Sequence, residues 1–262
     1  MESLGAVYAR ILKNRQRRID YEPNDSASVA IACNLCNGTG WLIQKLERTD
    51  PRFGQAFPCQ CRREAMVEAL LRTAKLPTQH GIHTLGSYNP VEGCQDTLRS
   101  IEDMASGDFN WNILTLVGHP GLGKTHLLEM LGRAVVDKGI SVRYHCTPDW
   151  IDSLRAGNNP EAEVSYETLW ARTTNAELVL LDDVKEYHVT PFAVEQVGRL
   201  VDERYRNGGL LVVTTNLSFT EMADIWDWRI ADRLFEGDSN TVRVSRLTGP
   251  SYRTGEDWNA RS

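Results

Sequence analysis

From residue 96 onward, short apolar runs alternate with stretches of helical period. Ile113–Val117, Val142–His145, Leu178–Leu181 and Leu210–Thr214 are read as short apolar runs, expected to be strands buried on both faces. Between and around them, 96–105, 124–138, 148–156, 191–206 and 220–235 read as helices. Thr241–Leu247 alternates with period two and reads as a late edge strand. Strand–helix alternation of this kind predicts a parallel α/β sheet. Before residue 96 the pattern changes. Residues 2–18 read as a short basic amphipathic helix, with Leu4, Val7, Tyr8, Ile11 and Leu12 on one face. Residues 62–75 read as a helix that Pro77 ends, and 76–95 are irregular and rich in Gly, His, Pro and Asn. A boundary is placed there, giving an N-terminal part over 1–75 and a larger domain over 76–262.

The first apolar run leads into Gly118-His119-Pro120-Gly121-Leu122-Gly123-Lys124-Thr125, a full match to G-x-x-x-x-G-K-S/T. Its place between a strand and a helix is the context such a phosphate loop needs. Glycines let the main-chain N–H groups face inward onto phosphate oxygens, and the helix N-terminus adds partial positive charge. Lys124 would reach the β- and γ-phosphates of ATP, and the Thr125 hydroxyl would ligate magnesium. Leu178–Leu181 ends in Asp182-Asp183. Asp182 would hold the magnesium and Asp183 would orient the attacking water, unless the pair is only a solvated turn. Asn216, after Leu210–Thr214, either meets the γ-phosphate or its water, or caps a turn. Arg229 and Arg233 lie one helical turn apart. They form either a solvated face or an arginine finger offered to a neighbouring subunit.

Composition narrows the class. The 262 residues are 41% hydrophobic and 24% charged, a globular balance. No apolar run reaches the roughly 18–20 residues of a membrane span. The first residues do not form a secretory signal, so a cytoplasmic protein with no membrane partner is expected. The net charge of −6 is uneven: residues 1–75 carry 12 Lys/Arg against 8 Asp/Glu, and 76–262 carry 17 against 27. That balance argues against a coat for non-specific duplex DNA.

Four of the six cysteines fall within 29 residues, in the spacing C-x2-C-x22-C-x-C. Cys33, Cys36, Cys59 and Cys61 would close a tetrahedral structural zinc site, with Gly38 easing the turn. Four free thiols and an iron–sulfur cluster are the alternatives. Cys94 and Cys146 are isolated and take no role. Trp150, Tyr166 and Trp170 are either core residues or a stacking surface for single-stranded DNA, with Arg143, Arg155 and Arg172 as nearby phosphate contacts.

The ordered set of phosphate loop, LVLLDD, VVTTN and RIADRL resembles the AAA+ ATPases of the bacterial helicase-loader group, DnaC and DnaI, and the related IstB transposition helpers. Asp202-Glu203-Arg204-Tyr205 and Ser251-Tyr252-Arg253 extend the resemblance over about 76–253. It implies a P-loop NTPase fold of the AAA+ type with the helical lid reduced or absent. It makes Arg233 the trans-acting finger, and implies an ATPase that is weak unless DNA or a partner stimulates it. Cys33, Cys36, Thr39, Gly40, Cys59 and Cys61 match the zinc-containing, helicase-binding segment of DnaI-type loaders. The implied partners are a hexameric replicative helicase and single-stranded DNA, with self-association on the helicase. The alternative is an IstB-type helper that binds DNA and a transposase. Initiators of the DnaA type also resemble the domain. They end in a helix-turn-helix, for which the 29 residues after Arg233 leave no room.

Overall fold

The computed structural model describes residues 33–43, 53–77, 85, 93–185, 189–238 and 240–251. The basic helix expected over 2–18, and Arg253, lie outside them.

Five parallel strands form the central sheet: β3 (Ile113–Val117), β4 (Val142–Cys146), β5 (Leu178–Val184), β6 (Leu210–Thr215) and β7 (Val242–Arg246). Their order is β4-β5-β6-β3-β7. This is the AAA+ P-loop arrangement, as the resemblance implied. The late alternating strand is β7, and it lies at an edge paired with β3 alone. The inner runs β3, β5 and β6 are buried along nearly their whole length, which is why they read as apolar stretches; β4, expected to be buried on both faces, lies at the other edge, and beyond Val142 it is only half-buried.

Helices cover both faces. On one face, α2 (Gln95–Ser106) and α3 (Lys124–Val136) pack Ile101, Met104, Leu127, Leu128 and Leu131 against Leu114, Leu116, Leu180 and Val212. On the other, α4 (Thr147–Ala156), α5 (Tyr166–Thr174) and α6 (Pro191–Asn207) bury Trp150, Leu154, Val197 and Leu200 against Ile113, Val179, Leu181 and Val213. Alternation along each strand sends neighbouring residues to opposite cores, so one slip in register would exchange the two faces.

Two short strands, β1 (Trp41–Ile43) and β2 (Ala56–Pro58), pair antiparallel and lead into α1 (Gln60–Ala74). The sequence boundary at 75/76 puts this helix in the N-terminal part. It seats Val67, Leu70, Leu71 and Ala74 in the same core as α2 and α3. Arg143 on β4 donates to the Thr73 carbonyl at 2.6 Å, and Arg63 to the Asp137 carbonyl at 3.2 Å.

Two helical expectations change. The single helix over 220–235 is α7 (Phe219–Ile225), α8 (Trp228–Ala231) and a π-helical turn, Asp232–Glu236. Ser218 and Glu221 start α7 with a reciprocal capping box. Asp227 then breaks the run by capping α8, its carboxylate accepting the Arg229 N–H at 2.8 Å. The helix α5 was not expected. Ser165 caps it, and Tyr166, Leu169, Trp170 and Thr173 follow the spacing that would have revealed it.

The aromatic residues on this side pack. Trp150 is buried, stacks on Trp170 at 6.1 Å and lies 5.3 Å from His145. Tyr166 stacks on Trp170, and the Arg199 guanidinium lies 4.6 Å from the Trp170 ring centroid. His145 shares a hydrogen bond with Thr173 at 2.9 Å. Burial, then the nearby Arg143 charge, push its imidazole down to about 3. An unfolded histidine titrates near about 6.5. Below that pH the unfolded chain therefore binds the extra proton and the fold does not. Thermal stability should fall as pH drops from about 6.5 to 5, and His145→Gln should flatten that slope in calorimetric melts.

Candidate nucleotide site and cysteine cluster

Because all five strands are parallel, their carboxyl ends share one edge, where Val117 and Val184 flank Thr215 in register and Asp182 lies beside Cys146. The phosphate loop leaves β3 at that edge. The Gly118 N–H donates to the Thr215 carbonyl at 3.2 Å, and a Cβ on Gly118 would meet the Leu247 carbonyl at 2.8 Å. Gly123 enters α3 with φ 79°, a left-handed turn that a side chain would oppose. Leu122 anchors the loop in the core. His119 and Pro120 are exposed at its crest. Lys124 folds back over the loop, donating to the carbonyls of Gly118 at 2.6 Å and His119 at 3.0 Å. An incoming phosphate would compete with those carbonyls for the ammonium.

Asp182 is the hub. One carboxylate oxygen accepts from the Thr125 hydroxyl at 2.7 Å and the Tyr144 hydroxyl at 2.8 Å, and the other accepts from Thr214. The Asp182 carbonyl accepts from Thr147 at 2.7 Å. The Tyr144 phenol is pushed well above its usual range by burial and by the Asp182 carboxylate, so it stays a donor. Thr125 and Asp182, which the sequence reading assigns to magnesium, are thus already adjacent. A hard cation between a hydroxyl and a carboxylate, completed by waters and phosphate oxygens, fits this donor set. Asn216 follows β6 directly and is half-buried beside the start of the phosphate loop.

Asp183 behaves differently. It takes φ 64° at a bulge where β5 slips against β6, and its N–H donates to Thr214 at 2.9 Å. Its carboxylate pairs with Lys185. The two line a cleft of about 60 Å³ between α4, α6 and Trp226, to which the phosphate loop contributes no residue. Arg233 lies in the π-helical turn, paired with Asp202 at 2.6 Å and over the Tyr205 ring at 5.8 Å. Its side chain is 20% exposed, against 75% for Arg229. Arg204, quoted above only as part of a pattern, is buried and donates to the carbonyls of Thr173, Thr174 and Ala176. It satisfies the C-terminal end of α5.

The four clustered cysteines also converge. Cys33 and Cys36 lie on the turn before β1, Cys59 caps α1, and Cys61 sits in its first turn. The short C-x-C spacing is therefore that of a helix start. All four sulfurs lie within 4.8 Å of one another, with Cys33 and Cys59 at 3.7 Å and Cys36 and Cys61 at 3.5 Å. A tetrahedron with Zn–S bonds of about 2.3 Å has edges of about 3.8 Å, so the set is compatible with zinc. Burial opposes ionisation of Cys36, but the Gly40 N–H and neighbouring thiols outweigh it and bring the thiol down to about 6. Burial, then hydrogen bonding to Cys36 and the other thiols, push Cys61 up to about 12. A cation would be needed to ionise the whole set. Cys94 is buried against the Thr248 carbonyl, and Cys146 is half-buried.

The family described as IstB-like ATP binding protein matches residues 59–260. The chain belongs to that family. This IstB-like protein is 23% identical over 191 residues to the insertion sequence IS5376 putative ATP-binding protein of Geobacillus stearothermophilus, covering 72% of this chain and 74% of the relative. It is 24% identical over 134 residues to the replicative helicase loader DnaC of Buchnera aphidicola, covering 50% of this chain and 54% of that loader. In fold it is similar to the crystal structure of the DnaC helicase loader, with TM-score 0.55 and 22% identity over 63% of this chain and 96% of that one. The family match takes in Cys59 and Cys61 but not Cys33 and Cys36. The metal reading of the IstB-like chain therefore stands on the cysteine geometry. No helix among the described residues is long and apolar enough to cross a membrane.

Removing Lys124 takes away charge-assisted hydrogen bonds that are worth about 1.5–3 kcal/mol each. Lys124→Ala should lose about 100-fold in affinity for a fluorescent ATP analogue while melting at an unchanged temperature. Binding at the original affinity would remove the phosphate-loop assignment.

Proposed function

We propose that this chain is an ATP-dependent loader of a hexameric replicative helicase. It would grip the helicase through its cysteine module and single-stranded DNA through its AAA+ domain. The observation that carries this reading is the closed set of four thiols at the head of α1, in a segment that leaves large apolar side chains unburied. Leu35, Ile43 and Phe53 are three of the four large exposed hydrophobic residues among those described. Such side chains around a small metal module suit a protein partner. Zinc would supply the folding energy that a module with so little apolar core lacks.

In the ATPase cycle, Thr125 and Asp182 would hold magnesium, and Lys124 would hold the β- and γ-phosphates. Magnesium, when bound, neutralises charge on the phosphate oxygens. Asp183 would orient a water whose oxygen bonds to the γ-phosphorus as the bond to the bridging oxygen breaks. ADP leaves, and the water's proton passes to the carboxylate or the phosphate. Asn216 would steady that water. Arg233 would meet the γ-phosphate of a neighbouring copy assembled on the helicase. To do so it must leave Asp202 and Tyr205, so turnover is weak until assembly. ATP binding would favour engagement of DNA and helicase, and hydrolysis would release the loader.

A second reading, an IstB-type helper acting with a transposase on DNA, is favoured by the family match and by coverage of 74% of the IS5376 relative. Native mass spectrometry of the full chain with its host's hexameric helicase, with and without Mg-ATP, separates the two. The loader reading predicts several copies per hexamer, each carrying one zinc. Absence of a complex under both conditions would displace it in favour of the transposition reading.

A further inference from the structure

Asp182 and Asp183 are adjacent in sequence but face different surroundings. Asp182 is enclosed by Thr125, Tyr144 and Thr214 at the phosphate loop. The bulge at Leu181/Val184 and the left-handed backbone of Asp183 turn the second carboxylate into the cleft lined by Thr147, Ile151, Thr190, Ala193 and Trp226. There Lys185 Nζ pairs with Asp183 Oδ2. An ammonium on this oxygen takes the lone pair that a water's proton would use, and it fixes the carboxylate where no phosphate-loop residue lines the space. The pair is partly exposed, with 34% and 45% of the two side chains accessible, so it is weak enough to open on demand.

Lys185 is itself held from one side. Its carbonyl accepts from the Trp226 indole N–H at 3.0 Å, and the preceding Val184 carbonyl accepts from Thr215 at 2.6 Å. Trp226 is buried at the junction of α7 and α8, three residues before Arg229 and seven before Arg233. A shift of α8 therefore reaches Lys185 through one hydrogen bond.

We infer that Lys185 is a positioning residue that latches Asp183 in an idle orientation, and that Trp226 ties this latch to the segment bearing Arg229 and Arg233. The inference rests on Asp183 being the acid that orients water. Under it, a second copy seated against α8 would act twice: it would receive the arginine, and it would loosen the latch on the acid of the subunit that offers it.

Steady-state ATPase kinetics of the full chain test this, alongside equilibrium binding of a fluorescent ATP analogue. Lys185→Met should raise kcat about 3- to 10-fold with KM within about twofold, because only the chemical step is released. Lys185→Arg should return kcat to the wild-type level. Asp183→Asn and the double variant with Lys185→Met should both fall at least about tenfold below wild type. Trp226→Phe, which removes the N–H, should raise kcat by less than Lys185→Met does. A Lys185→Met enzyme that folds, binds the analogue normally and turns over no faster than wild type overturns the latch. Wild-type turnover by Asp183→Asn instead overturns the reading of Asp183 beneath it. An unchanged kcat in Trp226→Phe removes the tie to α8. If Lys185→Met fails to fold, Lys185→Gln, which retains a polar stem without the charge, is read by the same criteria.

Discussion

A buried carboxylate organises this molecule. Asp182 is 4% exposed near the carboxyl end of the inner strand β5, and an ionised group there would be costly without donors. Three hydroxyls supply them: Thr125 from the phosphate-loop helix, Tyr144 from β4 and Thr214 from β6. Thr147 fixes the main chain of the same residue. The donors meet only if β4, β5 and β6 are in register and α3 enters at the right angle. The constraint that satisfies Asp182 therefore also builds the nucleotide edge. It places a carboxylate and a hydroxyl side by side before any ion arrives, so little reorganisation remains to be done on binding.

The nucleotide edge and the cysteine module are joined by one helix. Cys59 and Cys61 begin α1, and its 15 residues span roughly 22 Å at about 1.5 Å each. Its far end lies in the core beneath the phosphate-loop helix. Leu76, just past it, packs so closely on Gly132 of α3 that a Cβ there would come within 2.5 Å of it. Arg143 and Arg63 add hydrogen bonds from the sheet side and the end of α3. The cysteine module is thus tied to the nucleotide-binding core through a packed helix.

Much of this was legible in the residues. Strands buried on both faces write themselves as uninterrupted apolar runs, and Ile113–Val117 was bounded correctly for that reason. The phosphate loop, the Asp182 strand and the four cysteines declare themselves by spacing, because their chemistry tolerates little variation. Other features depend on tertiary contacts that no local pattern carries. Val67 and Leu70 look like one face of any amphipathic helix, and only the fold shows that they join the α2–α3 core. The Asp182-Asp183 pair reads as two acids serving one phosphate site, while the bulge in β5 turns the second carboxylate into a different cleft. Arg229 and Arg233 look interchangeable by spacing, but Asp202 and Tyr205 cover one and leave the other exposed. The α5 helix was readable from its 3–4 spacing and its Ser165 cap; of the two readings open for Tyr166 and Trp170, the fold packs both rings against the core.

Through its contact with Thr125, Asp182 would be the protein's anchor for the magnesium that accompanies ATP. The most direct measurement is ATP-analogue affinity with magnesium and with EDTA, for the wild type and for Asp182→Asn, with circular dichroism to confirm the fold. Magnesium should tighten binding by the wild type by at least about tenfold and have almost no effect on folded Asp182→Asn. A folded Asp182→Asn protein that retains the full magnesium enhancement would rule out Asp182 as that anchor.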